Sequence, residues 1–198
     1  MQVIALVESP EHVCCRYRVA PLRAHLERVG HQLEIRPWPR HWWGWFAIGR
    51  QIRHADAVLL QRKLLQRWQL YLLRRASRRL FFDFDDAVFL RDSYAARGLH
   101  SASRLRRFAA TMGAADLVIA GNSFLAEQAR RWIPTKRIQI IPTCIEPAHY
   151  PQAQHAGCEV VHLVWVGSSS TLRGLEAIRP LLEELADGLP QLRLKLIC

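Results

Sequence analysis

Short apolar runs alternate with amphipathic ones along most of this chain. VIALVE (3–8), QLEIRP (32–37), AVLLQR (57–62), LFFDFDD (80–86), DLVIAG (116–121) and RIQIIPT (137–143) are rich in Val, Ile, Leu and Phe and predict buried strands. Between them, APLRAHLERVG (20–30) repeats Leu22, Leu26 and Val29 at helical spacing, with Gly30 as its stop signal. LLQRWQLYLLRRASRR (64–79), SASRLRRFAATMGA (101–114) and NSFLAEQARRW (122–132) also carry the helical period. Strands alternating with helices predict an α/β fold: a doubly wound, Rossmann-like parallel sheet with right-handed crossovers.

The pattern stops at EPAHYPQAQHAGCE (146–159), which has neither period and contains two prolines. It then restarts as VHLVWVG (161–167), SSSTLRGLEAIRPLLEEL (168–185) and LRLKLIC (192–198). The expected organisation is a domain over 1–146, a linker over 147–160, and the first βαβ unit of a second Rossmann-like domain over 161–198. One βαβ unit cannot cover both faces of its strands, so the chain is expected to be part of a longer protein and inactive alone.

Composition adds a strong charge bias. The net charge is +11, and because Lys63, Lys136 and Lys195 are the only lysines among 28 basic residues, 25 are arginine. Such a surface suits anionic partners, although solvated helix faces account for much of it. The first residues, MQVIALVESPE, lack the basic segment of a secretion signal. No stretch reaches the roughly 18 uncharged apolar residues of a spanning helix. The five cysteines form no C-x-x-C pair, and their odd number fits reduced thiols in the cytoplasm.

In open α/β sheets, ligands bind outside the carboxyl ends of the strands. The loops there hold Glu8 to Arg18, Gln61 to Lys63, Asp83 to Asp86, Gly121 to Ser123, and Pro142 with Thr143. FFDFDDAVFL (81–90) places Asp83, Asp85 and Asp86 on this edge. The plain alternative is an acidic turn that caps its own backbone or neutralises an arginine. FDFDDAVF also resembles the DxD motif of haloacid dehalogenases, which would make Asp83 a nucleophile and Asp85 an acid/base. No downstream acidic pair for a magnesium ion accompanies it. A metal-binding DxD pair of GT-A glycosyltransferases is a further alternative.

A different resemblance covers more of the chain. DFDDAVFL, ADLVIAGNSFLAEQA (115–129), IQIIPTCIEPAHY (138–150) and LVWVGSSSTLRGLEAI (163–178) follow one another in an order that resembles GT-B glycosyltransferases of the family-4 type. The opening strand, CCRYRV (14–19) and the helix after it resemble the start of that family too.

This resemblance implies an acceptor-side GT-B N-terminal domain and the start of a nucleotide-sugar-binding domain. It further implies a hexosyltransferase-type enzyme that needs no metal and no cofactor beyond its nucleotide-sugar donor. Asp85 and Asp86 are then the catalytic candidates, Arg16, Tyr17, Arg18, Arg62, Gly121 and Asn122 the acceptor-side candidates, and Asp83 scaffold. In GSSSTLRG (167–174), small residues opening a helix suit a donor diphosphate, giving Gly167, Ser168, Ser169, Thr171 and Arg173, with ordinary N-capping as the alternative. The acceptor is expected to be a cell-surface glycan or glycolipid precursor.

RPWPRHWWGWF (36–46) mixes Trp38, Trp42, Trp43 and Trp45 with Arg36, Arg40 and His41, a composition suited to the interface of an anionic membrane. A sugar-stacking wall or packing under a loop are the alternatives. The location expected from these readings is cytoplasmic, peripheral at the inner face of the plasma membrane, with no nucleic-acid partner. The alternatives from other classes are a basic α/β module that binds nucleic acid or anionic membrane, and a haloacid-dehalogenase-like phosphatase.

Overall fold

A computed structural model describes residues 1–145, 147–152, 160–167 and 171–197. The chain divides into two compact units, Met1–Asp92 with Leu99–Glu146, and Ser93–Gly98 with Pro147–Cys198.

The first unit is built on a six-stranded parallel sheet. Its strands are β1 (Gln2–Val7), β2 (Gln32–Pro37), β3 (Ala57–Gln61), β4 (Leu80–Phe84), β5 (Leu117–Ala120) and β6 (Ile138–Ile140). They lie in the order β2-β1-β3-β4-β5-β6 with every neighbouring pair parallel. The fold class expected from the alternating pattern is therefore the observed one. The direction of winding reverses between β1 and β3, so the loops after these two strands diverge to opposite sides and open a crevice between them.

Side-chain alternation divides the core into two layers. Ile4 and Leu6, Val58 and Leu60, Phe82 and Phe84, and Val118 and Ala120 point to one face. They pack under α3 (Trp42–Ile52), α4 (Arg67–Ala76), α5 (Ala102–Ala114) and α6 (Ser123–Arg130), through Ile52, Leu73, Phe108 and Leu125 among others. Ala5, Val7 and Leu59 point to the other face. There they meet Cys15 of α1 (Val13–Arg18), Val19 just after it, and Leu26 of α2 (Leu22–Arg28). Burying both faces explains why these strands read as continuous apolar runs.

Several local signals act as expected. Gly30 adopts φ +75° just past α2, its N–H donating to Glu27 O at 3.0 Å while His31 N donates to Leu26 O at 2.8 Å. Others were not visible in the pattern. The Trp-rich stretch, to which no element was assigned, forms α3, and residues of CCRYRV, read as loop, form α1. α4 begins at Arg67 because the Gln66 and Gln69 side chains cap each other's backbone.

The second unit pairs β7 (Val161–Val166) with β8 (Leu192–Ile197) in parallel, with α7 (Leu172–Ala177) and α8 (Arg179–Gly188) between them in sequence. The single helix expected over 168–185 is two: Pro180 has no N–H to donate to Glu176, and the break falls at Ile178. None of the described residues of this unit is buried. Among the described residues no helix is long and apolar enough to cross a membrane.

Candidate functional site

The carboxyl ends of β1, β3, β4 and β5 converge on two ion-paired clusters in the first unit. In the inner one, Arg18 at the end of α1 faces Asp83 of β4. Nε donates to Asp83 Oδ2 at 3.1 Å and Nη2 to Oδ1 at 2.5 Å, while Nη1 donates to Ile141 O and Thr143 Oγ1, both at 3.0 Å. Both side chains are inaccessible, 3% and 6% exposed.

Burial pushes the Asp83 carboxyl above its ordinary value, with Arg18 opposing the shift. Burial also works to lower the Arg18 value, yet the Asp83 hydrogen bond and charge outweigh it, so the guanidinium is held above its ordinary value. The two shifts give opposite weights to one interaction. The fork decides between them: both carboxyl oxygens accept, which suits the ionised pair.

The outer cluster centres on Arg62. This residue follows β3 with φ 58°, the one positive-φ non-glycine among the described residues. A side chain in the left-handed region costs about 1 kcal/mol or more, so the surroundings must hold it there. Its N–H donates to Asp83 O at 2.8 Å, and its guanidinium reaches Asp86 Oδ2 at 2.9 Å, Asp85 Oδ1 at 3.5 Å, and the Cys14 sulfur. Burial raises the Cys14 thiol, the Asp85 charge adds to the shift, and Arg62 opposes it. The 3.5 Å contact is an ion pair rather than a hydrogen bond, and Asp85 Oδ1 is buried without a hydrogen-bond partner among the described residues.

Gly121, the residue after β5, has a steric reason to lack a side chain. A Cβ there would stand 2.8 Å from Asp85 Cα and 3.1 Å from Asp85 Cβ. Its N–H also donates to Phe84 O at 2.9 Å, which ties the β5 and β4 ends together. Asn122 caps α6, its Oδ1 accepting from Leu125 N at 2.9 Å. Arg16 is exposed and lies 5.8 Å from the Tyr17 ring centroid. Among the acceptor-side candidates, the structure brings Arg18, Arg62 and Gly121 against the Asp triplet, while Asn122 spends its carbonyl oxygen on the cap.

A cleft of about 460 Å³ adjoins Arg62 at the switch point between β1 and β3. Glu8 and His12 follow β1, Trp38 follows β2, and Arg62, Lys63, Leu64, Gln66 and Gln69 come from the β3–α4 connection and α4. Val88, Arg104 and Arg107 complete the lining. Of these, Arg62 stood among the acceptor-side candidates and Trp38 among the membrane-interface residues, while Glu8, His12 and Lys63 lay in the strand-end loops expected to bind ligand. Arg104 and Arg107 were not singled out; their sequence signal is two arginines three apart on α5, a helix with no acidic residue.

The Trp-rich segment is divided by its environment. Trp38 walls the cleft, Trp45 is buried against Trp68 at 6.4 Å, and Trp42, Trp43 and Phe46 are exposed. Of the donor-side candidates, Gly167 N donates to Ile197 O at 3.0 Å, Arg173 Nη1 lies 3.5 Å from Tyr94 O, and Thr171 precedes α7 without a side-chain cap bond. Ser168 and Ser169 lie outside the described residues. Among the described residues no group of three or more His, Cys, Asp and Glu is placed to hold a metal ion.

No protein-family model matches the sequence, and no curated protein matches it. Solved structures do. The crystal structure of Anabaena HepE in complex with UDP and glucose matches 99% of this chain and 60% of its own, with TM-score 0.55 and 15% identity. HepE in complex with UDP-glucose matches 99% of this chain and 60% of its own, with TM-score 0.53 and 14% identity. HepE in complex with UDP matches with TM-score 0.55 at 12% identity. The shared feature at this identity is the Rossmann-like α/β fold, and the chain spans about 60% of the HepE length in the first two.

Proposed function

We propose that this chain is the acceptor-side part of a glycosyltransferase that uses a nucleotide-sugar donor, of the GT-B family-4 type. The observation that carries this reading is the partly exposed Asp85 carboxylate, held by Arg62 at the carboxyl edge of a fold shared with a UDP-glucose-binding structure.

In this mechanism an acceptor hydroxyl donates to the partly exposed Asp85 carboxylate, which orients it and takes its proton as the oxygen bonds to the anomeric carbon and the bond from that carbon to the donor diphosphate breaks. Asp86 and Asp85 together keep Arg62 in its left-handed conformation. Arg18, spent on Asp83, Ile141 and Thr143, positions the strand end rather than touching substrate. Asp83 serves with it as scaffold. The donor diphosphate belongs to Gly167, Ser168, Ser169, Thr171 and Arg173, and neither a metal nor a further cofactor takes part. The exposed apolar faces of β7 and β8 suit the opening of a larger donor-binding domain.

The acceptor in this reading is a lipid-linked or cell-surface glycan precursor reached from the membrane. Trp42, Trp43 and Phe46 are exposed together on α3, near Arg40, Arg50 and Arg53, a combination that favours the interface of an anionic bilayer.

The test is transfer of radiolabelled glucose from UDP-glucose to a membrane extract, by the coding sequence that carries this chain expressed to its stop codon. Transfer that falls at least about tenfold in Asp85→Asn supports the reading. Release of phosphate from small phosphomonoesters with magnesium, in place of transfer, would establish the phosphatase alternative.

A further inference from the structure

The cleft at the switch point holds more positive charge than the protein neutralises. Arg62 is matched by Asp85 and Asp86. Lys63, Arg104 and Arg107 line the same cleft, and none of them has a carboxylate within ion-pair distance among the described residues. The lining contains one carboxylate, Glu8, whose ion-pair neighbour is His12 at 3.8 Å.

Two of these cations are placed rather than loose. Lys63 Nζ stands 4.6 Å from the Trp38 ring centroid, a contact that fixes an ammonium without neutralising it. Arg104 Nη1 donates to Leu90 O at 2.9 Å and Val88 O at 3.3 Å, which leaves Nε and Nη2 without partners among the described residues. Three like charges drawn to one concavity repel one another, and an anion relieves that repulsion. Set against Glu8 and against the one carboxylate by which Asp85 and Asp86 exceed Arg62, they leave a surplus of about one positive charge, and three separate donor groups suit the several oxygens of a phosphoryl group better than the two of a carboxylate. The 460 Å³ volume accommodates a phosphorylated sugar or headgroup.

We propose that this cleft takes a phosphoryl group carried by the acceptor, with Lys63, Arg104 and Arg107 holding its oxygens. The word acceptor rests on the glycosyltransferase reading; the phosphoryl site itself does not. The substrate class is then a phosphorylated acceptor, soluble or lipid-borne, whose hydroxyl extends toward Asp85.

The experiment is binding of radiolabelled glycerol 3-phosphate to the purified chain by equilibrium dialysis at low salt, with glycerol as the neutral control. A second arm is flotation with phosphatidylcholine vesicles with and without phosphatidic acid. Lys63→Gln and Arg107→Gln are expected to weaken binding about tenfold each, the loss of one charge-assisted contact. Arg106→Gln, outside the cleft on the same helix, is expected to leave it unchanged.

Binding of glycerol 3-phosphate that depends on Lys63 and Arg107 supports a soluble phosphate source. Dependence seen only on phosphatidic acid vesicles supports a lipid source. No binding in either arm, equal binding of glycerol, or binding indifferent to both variants by folded protein, judged by its circular dichroism, overturns the proposal. Displacement of glycerol 3-phosphate by UDP would assign the cations to the donor and overturn it as well. Phosphate binding by the chain together with no sugar transfer by the full coding sequence would defeat the glycosyltransferase reading and leave the phosphoryl site standing.

Discussion

Arg18 and Asp83 form a forked ion pair inside the first unit, Nε to Oδ2 at 3.1 Å and Nη2 to Oδ1 at 2.5 Å, across 65 residues of sequence. The same guanidinium reaches Ile141 and Thr143, so one side chain joins α1, β4 and the segment after β6. Breaking one side of this pair leaves a buried charge alone. Asp83→Asn is expected to destabilise the chain by about 3–5 kcal/mol in urea unfolding. The paired replacement Arg18→Met with Asp83→Leu removes both charges and is expected to recover most of that loss; a pair variant as unstable as Asp83→Asn would show that more than the charge balance is at stake.

Asp86 is largely exposed, so its pairing with Arg62 adds little to stability. Asp86→Asn is expected to shift the unfolding midpoint by less than about 1 kcal/mol, the range of exposed ion pairs. Sugar transfer by the full coding sequence is expected to fall at least about tenfold in Asp85→Asn, and to a smaller extent in Asp86→Asn. Unchanged turnover in both variants would remove the Asp pair from the site.

Two glycines give a matched steric test. Gly121→Ala places a Cβ 2.8 Å from the Asp85 backbone, and is expected to cost about 1–3 kcal/mol by displacing the β4 end. Gly49 lies inside α3 with nothing within 4 Å of an added Cβ, so Gly49→Ala is expected to stabilise by about 0.5–1 kcal/mol. Thermal melting of the two variants reads both signs.

The thiols of Cys14 and Cys15 lie above the ordinary value of 9.0, each raised first by burial. A group raised in the folded state contributes stability that is complete below its unfolded value and declines as pH rises through the folded one. Urea unfolding is therefore expected to show constant stability from pH 7 to about 8.5, a fall above pH 9, and a shallower fall in Cys15→Ala. An equal decline in that variant would exclude the buried thiol as its cause.

The membrane reading makes its own demand on α3. Trp42→Ala with Trp43→Ala is expected to lower flotation with vesicles containing about a third anionic lipid several-fold, while leaving the core packing of Trp45 untouched. Flotation unaffected by the double change would place membrane contact elsewhere or nowhere on this chain.

The limits of sequence reading show at particular residues. Trp42 to Ile52 escaped as a helix because exposed Trp42, Trp43 and Phe46 sit among buried Trp45 and Ile48, which blurs a 3.6-residue period. Pro180 was visible in the sequence, and its missing N–H still cut one expected helix into α7 and α8. Asp83, Asp85 and Asp86 could be placed on the strand edge from pattern alone. Their division between Arg18 and Arg62 could not, since Arg18 reaches Asp83 from a helix 65 residues away and Arg62 reaches Asp85 and Asp86 across neighbouring strands.

By itself the sequence determined the alternation of strands and helices, the parallel α/β class and the strand edge on which Asp83, Asp85 and Asp86 lie. These follow from local periodicity, because covering both faces of a sheet demands apolar runs separated by amphipathic ones. Tertiary structure alone decided which arginines are spent and which are free. Charge is written residue by residue, whereas neutralisation depends on distances between segments as far apart as Cys14, Arg62 and Arg107.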